Sequence, residues 1–294
     1  MSKDILIDTS NREETRVAVT ENGKLDNFEI ESNKKTAVKG DVYLAKITRI
    51  EPSLQSAFVD FGANRNGFLP LTEIHPDYFK IPSADQNELS KLTKKLQNIE
   101  NINDEEEIIN GENSEISNDE SKLLKNNPRK INPRKIYYDF FRKYKIQDVI
   151  KPKQIILVQI NKEERSLKGA ALTTFLSFAG RYCVLMPNSM NNDGISRKIS
   201  DIEERNKLKA ILSSINIPEK MSVIVRTAGI GKTKKEISKD LTYLTSQWNK
   251  IRETTLKARA PKLIYEEGSI LKRTIRDMIT EDVESIIVDG KEGF

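Results

Sequence analysis

The sequence predicts a mixed α+β protein that is rich in strands and contains a small β-barrel. Between residues 40 and 71, short apolar runs are separated by turn signals such as Asn66-Gly67, which is typical of strands joined by tight turns. Asn22-Gly23 separates two alternating segments and is a strong hairpin signal. Two capping boxes, each followed by apolar residues at helical spacing, predict helices in the second half of the chain.

The predicted strands come mostly in the first two thirds of the chain. Residues 4–30 indicate three strands, and the barrel begins near Gly40 with strands that reach Leu71. The strand pattern then resumes in three runs, at residues 155–160, 168–178 and 182–186. Ala179-Gly180 separates the last two of these runs.

The predicted helices are located by their N-terminal caps. Ser200 and Glu203 form a capping box that begins a helix at about 201–214, and Thr233 with Glu236 begins a longer one. The apolar residues of the longer helix share one face: Ile237, Leu241, Leu244, Trp248 and Ile251. The remaining predictions are strands at 221–227, 264–266 and 285–288 and a helix at 270–278.

Residues 83–132 differ in character from the rest and predict a long disordered insertion in the barrel. They are dominated by Asn, Glu, Asp, Ser and Lys, with no apolar period long enough to form a core. Residues 96–121 contain nine acidic and no basic residues, so the remainder is more basic than the net charge of +5 and the pI of 9.0 indicate. A basic body suits a polyphosphate partner. An A/T-biased genome would also give such a composition, and the insertion is either a solvated linker or a separate basic arm.

Two aromatic residues of the barrel are candidates for binding nucleic acid. Phe58 and Phe68 lie in adjacent predicted strands, among the basic residues Lys46, Arg49 and Arg65. OB-type barrels bind single-stranded nucleic acid through aromatic faces beside basic side chains. The alternative is that both rings belong to the core, because phenylalanine is often buried.

A second candidate is the glycine-rich turn at residues 228–233, AGIGKT. A P-loop requires glycine five residues before Gly231, and Arg226 stands there instead, which argues against nucleotide hydrolysis. Arg226, the glycines and the N-terminus of the following helix would still suit a single terminal phosphate. The alternative is a simple turn with Arg226 on the surface.

Four segments resemble the ribonuclease E/G family of endoribonucleases. They are KITRIEPSLQSAFVDFGANRNGFLPL (46–71), QINKEERSLKGAALTTFLSFAGRYCVLMPN (159–188), GISRKI (194–199) and VIVRTAGIGKTKKEISKDL (223–241). The resemblance implies a five-stranded, S1/OB-type RNA-binding barrel embedded in an RNase H-like α/β subdomain. The domains implied are the first part of the RNase H-like subdomain at 1–38, the barrel at 39–178, a 5′-sensor region at 179–220, and the remainder of both subdomains at 221–294.

The resemblance also assigns roles to individual residues. Phe58, Phe68 and Lys168 match positions that hold single-stranded RNA, the rings by stacking and the lysine by its charge. Arg226 and Thr227 match the pocket that senses the 5′-monophosphate of RNA. Three further residues match positions beside that pocket: Val184, Gly180 and Arg197.

The catalytic residues of the family have no match in this sequence. The resemblance implies Mg²⁺-assisted phosphodiester hydrolysis by paired carboxylates in a subdomain that follows, and a zinc-binding Cys-x-x-Cys link beyond it. Asp60, Asp277, Asp282 and Asp289 show no convincing pair spacing. We therefore expect no metal or cofactor in this chain, and a piece truncated before the catalytic half that is inactive alone.

Two functions remain open from the sequence. One is the part of a ribonuclease E/G-type enzyme of RNA processing and mRNA decay that binds RNA and senses its 5′-monophosphate. Its partner would be a separately encoded catalytic half, and the resemblance implies that full-length members of the family form homotetramers. The other is a stand-alone RNA-binding regulator without catalysis. The single cysteine, Cys183, lies in an apolar run and suits a reducing compartment. No apolar run approaches the ~18 residues of a spanning helix, so the predicted location is cytoplasmic or peripheral at the inner membrane.

Overall fold

The structure, a computed structural model, describes residues 3–32, 38–80, 85, 140, 143–165, 168–189, 194–218, 221–279, 283–291 and 293. The predicted disordered insertion at 83–132 therefore lies outside the described residues, apart from Asp85. The chain divides into two compact units, Met1–His75 with Pro152–Phe294 and Pro76–Lys151. No helix in the described ranges is long and apolar enough to cross a membrane.

Strands outnumber helices among the described elements. The strands are β1 (Lys3–Asp8), β2 (Glu14–Glu21), β3 (Lys24–Ser32), β4 (Val42–Glu51), β5 (Ser56–Asp60), β6 (Gly67–Pro70), β7 (Ile155–Lys162), β8 (Ala171–Thr173), β9 (Phe178–Ala179), β10 (Cys183–Met186), β11 (Gly194–Ile195), β12 (Ser222–Val225), β13 (Lys262–Tyr265) and β14 (Val283–Asp289). The helices are α1 (Ile146–Val149), α2 (Ile202–Ser213), α3 (Lys234–Lys257) and α4 (Ile270–Met278).

The first sheet joins the beginning of the described chain to its last strand, in the order β14-β1-β2-β3. β1 is parallel to β14 and antiparallel to β2. At the β2–β3 turn, Asn22 and Gly23 both have positive φ, 51° and 75°, which two-residue hairpins with a type I′ turn require. The predicted hairpin is therefore confirmed. One face of the sheet packs on Ile270 of α4 through Ile5, Ile7, Val17 and Val19.

The barrel is formed by five strands in the order β4-β5-β6-β8-β7, and pairing between β4 and β7 closes it. Alternate residues of each strand point into the barrel, and these inward-pointing residues are apolar. Ile47, Ala57, Val59 and Leu69 are each 0% exposed. The predicted fold class, a strand-rich α+β chain with a closed five-stranded barrel, is confirmed.

Strand β4 serves two cores at once. Tyr43 packs edge-on against Phe61, with ring centroids 5.1 Å apart. The alternate residues Val42 and Leu44 belong instead to a second core, which β10, β12, α2 and α3 help to form. Burial on both faces explains why β4 begins as a continuous apolar run, whereas a strand buried on one face alternates.

The second core lies beside a small sheet with the order β11-β12-β10-β9. β10 and β12 are antiparallel, and Cys183 at the start of β10 faces Val225 at the end of β12. Cys183 is 0% exposed, and burial raises the pKa of its thiol to about 12. It is therefore a structural thiol in the folded protein, as its apolar surroundings in the sequence predict.

All three helices predicted in the second half are present, but only one of the two predicted capping boxes forms. The Thr233–Glu236 capping box forms at the start of α3, and four of the five predicted apolar residues are buried, with Trp248 partly buried against the same core. The prediction that Ser200 caps α2 was wrong. Asp201 is the N-cap, and its carboxylate accepts hydrogen bonds from the Glu203 and Glu204 amides, as a stronger acceptor than a hydroxyl group.

The predicted strand at 168–178 is shorter than expected. Only Ala171–Thr173 pairs as β8, and the following residues leave the sheet. Side chains satisfy their backbone amides instead: Leu176 N–H donates to Asn188 Oδ1 (3.0 Å) and Ser177 N–H to Gln159 Oε1 (2.9 Å). Such side-chain acceptors offer the backbone an alternative to ladder pairing.

The second unit is described only around α1. Ile146 and Val149 of that helix are buried, and the Lys80 amide donates to the carbonyl oxygen of Val149 at 2.8 Å. Phe140 and Tyr144 pack edge-on with centroids 5.9 Å apart.

Candidate nucleic-acid interface

The two predicted stacking residues lie side by side on the outer wall of the barrel. Phe58 and Phe68 are directly opposite each other in the β5–β6 pair, with ring centroids 6.0 Å apart and planes at 70°. Their strand neighbours Ala57, Val59 and Leu69 are fully buried, whereas both phenylalanines are only half-buried. The rings therefore point out of the barrel, and the alternative that they form its core does not hold.

A bulge in β4 brings a cation to the aromatic pair. The register between β4 and β5 shifts between Ile47 and Arg49, so that Arg49 faces Phe58. The residue between them, Thr48, donates its hydroxyl to the Phe58 carbonyl oxygen at 2.8 Å. Bulges commonly redirect a side chain in this way. The Arg49 guanidinium carbon lies 4.7 Å from the centre of the Phe58 ring, within the range of a cation–π contact.

Lys168 is at the turn between β7 and β8, next to the aromatic strands. Its backbone exchanges two hydrogen bonds with Arg165, at 3.1 and 2.8 Å, and its side chain is exposed. The neighbouring Gly169 packs so closely on the backbone of the β5–β6 turn that an added Cβ would overlap with the Asn66 carbonyl oxygen. The Phe68 amide then donates to the Ala170 carbonyl oxygen at 2.8 Å. The structure thus brings Lys168 and the aromatic pair to one end of the barrel.

Arg226 leaves β12 beside the loop that precedes β10. Its amide donates to the Tyr182 carbonyl oxygen at 2.7 Å, which extends the β10–β12 pairing by one residue. Its Nη1 donates to the Gly180 carbonyl oxygen at 2.7 Å and to Asp277 Oδ1 at 2.6 Å. Thr227 is exposed and begins a short 3₁₀ turn that ends at Gly229. Arg226 is thus partly exposed and forms an ion pair with Asp277, a contact that the sequence did not predict.

Gly180 is required by a carboxylate that organises the same loop. Asp240 of α3 accepts hydrogen bonds from the amides of Arg181 (3.2 Å), Tyr182 (2.8 Å) and Cys183 (2.9 Å). A Cβ on Gly180 would lie 2.5 Å from an oxygen of that carboxylate. Sequence reasoning missed Asp240, because it lies on a helix nearly 60 residues from the loop.

Val184 and Arg197 lie near the same end of the small sheet. Val184 is on β10 and, with Ala179 and Arg276, helps to line a cleft of about 540 Å³. Arg197 follows β11, whose continuation is fixed by a hydrogen bond from the Ser196 amide to the Val225 carbonyl oxygen at 2.8 Å. The Arg197 side chain is exposed. Of the five predicted sensor residues, Val184 therefore lies on β10, and the other four lie in segments that directly follow β9, β11 or β12.

The helix N-terminus after the glycine-rich turn is less open to a phosphate than the sequence suggested. The Thr233 amide donates to Glu236 Oε2 at 2.9 Å, and the Glu236 amide donates to Thr233 Oγ1 at 3.4 Å. The hydrogen bond from the Thr233 amide, and a second one from Thr233 Oγ1 to Glu236 Oε2 at 2.8 Å, hold the pKa of the Glu236 carboxyl below its ordinary value. The capping box thus occupies two of the amides that a phosphate at this helix end would use.

The carboxylates considered for catalysis do not form a metal site within the described ranges. There, no group of three or more His, Cys, Asp and Glu side chains lies close enough together to hold a metal ion. Asp60 accepts a hydrogen bond from the Gly62 amide at 3.0 Å, and Asp277 pairs with arginines. Asp282 lies outside the described residues. The carboxylates that the structure describes therefore do not fit the Mg²⁺ that the resemblance implies.

Comparison with known proteins places the chain in one family. Residues 177–294 match the ribonuclease E/G family. Ribonuclease E of Buchnera aphidicola subsp. Schizaphis graminum is 37% identical over 288 residues, which cover 98% of this chain and 24% of that protein. The chain belongs to the ribonuclease E/G family.

Two further relatives place the similarity along almost the whole chain. Ribonuclease E of Escherichia coli is 36% identical over 288 residues, 98% of this chain and 22% of the relative. Ribonuclease G of Haemophilus influenzae is 28% identical over 281 residues, 96% of this chain and 46% of the relative. The chain thus spans about a quarter of the ribonuclease E relatives and about half of this ribonuclease G.

Proposed function

We propose that this chain is an RNA-binding part of a ribonuclease E/G-type enzyme, which holds single-stranded RNA on the barrel and its 5′-monophosphate at Arg226. The observation that carries the proposal is the outward-facing pair Phe58 and Phe68 with the Arg49 guanidinium over one ring. A closed barrel that exposes two adjacent rings beside a cation suits stacked bases and their phosphates. The names of the relatives, ribonucleases E and G, support RNA as the ligand.

The proposal assigns the terminal phosphate to the sheet end that carries Arg226. A phosphate monoester has more charge and more free oxygens than a 5′-hydroxyl end, and an arginine can bind it by two parallel hydrogen bonds. Thr227 adds an exposed hydroxyl group beside Arg226. Val184, Gly180 and Arg197 would lie around the first nucleotide.

We expect the chain to bind a 5′-monophosphorylated single-stranded RNA more tightly than the same RNA with a 5′-hydroxyl end. The expected difference is roughly 1–3 kcal/mol, the range for hydrogen bonds to charged groups. Fluorescence anisotropy with the label at the 3′ end measures both dissociation constants. Equal constants would contradict the sensing role, and no measurable binding of either RNA would contradict the whole proposal.

Lys168 is expected to act on the phosphate backbone rather than on the bases. Lys168→Ala should weaken binding of all sequences alike and reduce the slope of log K against log salt concentration by about 0.7, the value for one single-strand phosphate contact. The measurement is a salt titration of wild type and variant. Lys207→Ala, which removes an exposed lysine paired with Glu204, is the charge-matched control. A slope identical to that of the wild type would contradict the assigned contact.

We further expect the 294-residue chain to bind RNA without cleaving it when Mg²⁺ is added. The catalytic carboxylates of the family match no residue of this chain, and Asp277 is held between two guanidinium groups. Incubation of labelled RNA with purified protein and Mg²⁺, followed by gel electrophoresis, tests this. Cleavage that a chelator abolishes and a mock preparation lacks would show that the chain carries its own catalytic site.

A further inference from the structure

The guanidinium group of Arg226 is held through one nitrogen only. Both hydrogens of Nη1 are used, one by the Gly180 carbonyl oxygen at 2.7 Å and one by Asp277 Oδ1 at 2.6 Å. The backbone of Arg226 is fixed as well, by its amide hydrogen bond to Tyr182. The side chain is therefore anchored at both ends.

The opposite edge of the same guanidinium group is open. Nε and Nη2 carry three further N–H donors, and none of them bonds to a residue in the described part of the chain. A guanidinium edge with two parallel N–H groups matches the spacing of two oxygens of a phosphate. The anchored nitrogen and the open edge are thus complementary: one orients the group and the other is available to a ligand.

Asp277 is itself held rigidly. Arg276 donates from Nε to Asp277 Oδ1 at 3.0 Å and from Nη2 to Oδ2 at 3.1 Å. Arg276 is in turn bonded through Nη1 to Glu267 Oε1 at 2.6 Å and to the Ala179 carbonyl oxygen at 3.0 Å. Each oxygen of Asp277 therefore has a fixed partner, and the carboxylate cannot rotate away from Arg226 without breaking an ion pair.

The charge of Asp277 is secured by the same contacts. Burial raises the pKa of its carboxyl group, but the hydrogen bonds from Arg276 and Arg226 outweigh burial and leave the pKa below its ordinary value. Asp277 is consequently ionised at neutral pH, and its ion pair with Arg226 persists there.

We propose that Asp277 is a positioning residue that holds Arg226 by Nη1, so that the Nε–Nη2 edge faces the terminal phosphate, and that it thereby determines the preference for 5′-monophosphorylated ends. This inference rests on the proposed 5′-sensing function. The opposite role, a carboxylate that competes with phosphate for Arg226, fits the contacts less well. Asp277 accepts a hydrogen bond from Nη1, the nitrogen that also donates to the Gly180 carbonyl oxygen, and it leaves the Nε–Nη2 edge free.

The two roles predict changes of opposite sign in one measured quantity, the ratio of the 5′-hydroxyl to the 5′-monophosphate dissociation constant. Asp277→Ala should reduce the ratio by about tenfold, by analogy with the lower end of the affinity loss when a residue that orients a metal ligand is removed. Asp277→Asn keeps one acceptor oxygen for Nη1 and should retain an intermediate ratio. Affinity for the 5′-hydroxyl RNA should change little in both variants, because the barrel binds it.

Glu204→Gln is the matched control. It removes a carboxylate from an ion pair with Lys207 on α2, and no described contact joins Glu204 to Arg226, Arg276 or Asp277. Its ratio should equal that of the wild type. Thermal melting of each variant, with binding measured well below the melting temperature, separates loss of positioning from loss of fold.

The possible outcomes are distinct. A ratio that rises in Asp277→Ala, or stays at the wild-type value, overturns the positioning role, whereas a wild-type ratio of one overturns the sensing function itself. Should both variants fail to fold, the Arg226 Nε–H resonance of the ¹⁵N-labelled wild-type chain remains as a test. It should shift on addition of the 5′-monophosphorylated RNA and not of the 5′-hydroxyl RNA, and an equal response to both overturns the proposal.

Discussion

Arg226→Ala is expected to abolish the preference for 5′-monophosphorylated RNA and to leave the affinity for 5′-hydroxyl RNA nearly unchanged. The expected loss is the whole difference between the two ends, roughly 1–3 kcal/mol or about 5- to 150-fold. The physical reason is that Arg226 presents an open guanidinium edge at the end of β12, beside the exposed hydroxyl group of Thr227. The amides of Thr233 and Glu236 are already used by the α3 capping box.

The measurement is an anisotropy titration of both RNAs against wild type and variant. Arg226→Lys keeps the charge but lacks the planar fork, so it should retain only part of the preference. Lys207→Ala removes an equal charge from α2 and should retain all of it. Asp277 keeps two hydrogen bonds from Arg276 in the Arg226 variants, so we expect them to fold. A preference that survives Arg226→Ala would assign the phosphate to another site.

Phe58→Ala and Phe68→Ala are each expected to weaken binding of single-stranded RNA by about 1–3 kcal/mol, the contribution of one stacked base. Both rings point out of the barrel, so their removal takes away a stacking surface without opening the interior that Ala57, Val59 and Leu69 fill. Phe58→Ala also removes the ring over which Arg49 lies, and it should have the larger effect of the two.

Controls separate the loss of stacking from the loss of stability. Phe28, which is 50% exposed on β3 of the first sheet, offers a matched Phe28→Ala variant that should bind RNA normally. Phe58→Tyr keeps an aromatic face and should bind RNA nearly as well as the wild type. If the RNA affinity of the Phe58 and Phe68 variants falls only because their melting temperature falls and part of the protein is unfolded, the rings contribute packing rather than stacking.

Much of the barrel and its aromatic pair could be predicted because the signals are local. Phe58 alternates with buried residues along β5, and strand periodicity alone places it on the opposite face from Ala57 and Val59. What the sequence left open was whether that face is covered. The structure answers this question, because the β4 bulge presents Arg49 rather than an apolar side chain to the ring.

The surroundings of Arg226, the proposed phosphate-binding residue, were predicted less completely, because its partners are remote in sequence. Arg226 was recognised from the turn that follows its strand, but Asp277 is 51 residues away and Asp240 is nearly 60 residues from the loop that it organises. Neither carboxylate stands in a motif, so no spacing rule identifies it. The glycine at 180 is explained only once the Asp240 carboxylate is seen against it.

The sequence by itself determined those features that depend on neighbouring residues: the Asn22-Gly23 hairpin, the capping box of α3 and the apolar face of that helix. Backbone conformation and side-chain periodicity are set within a few residues, so these patterns need no tertiary context. The tertiary structure alone decided that β14 completes the sheet begun by β1, that Asp201 rather than Ser200 caps α2, and that Asp277 anchors Arg226. These arrangements depend on which burial and hydrogen-bonding partners the packed chain offers, and that choice is made only when the distant segments come together.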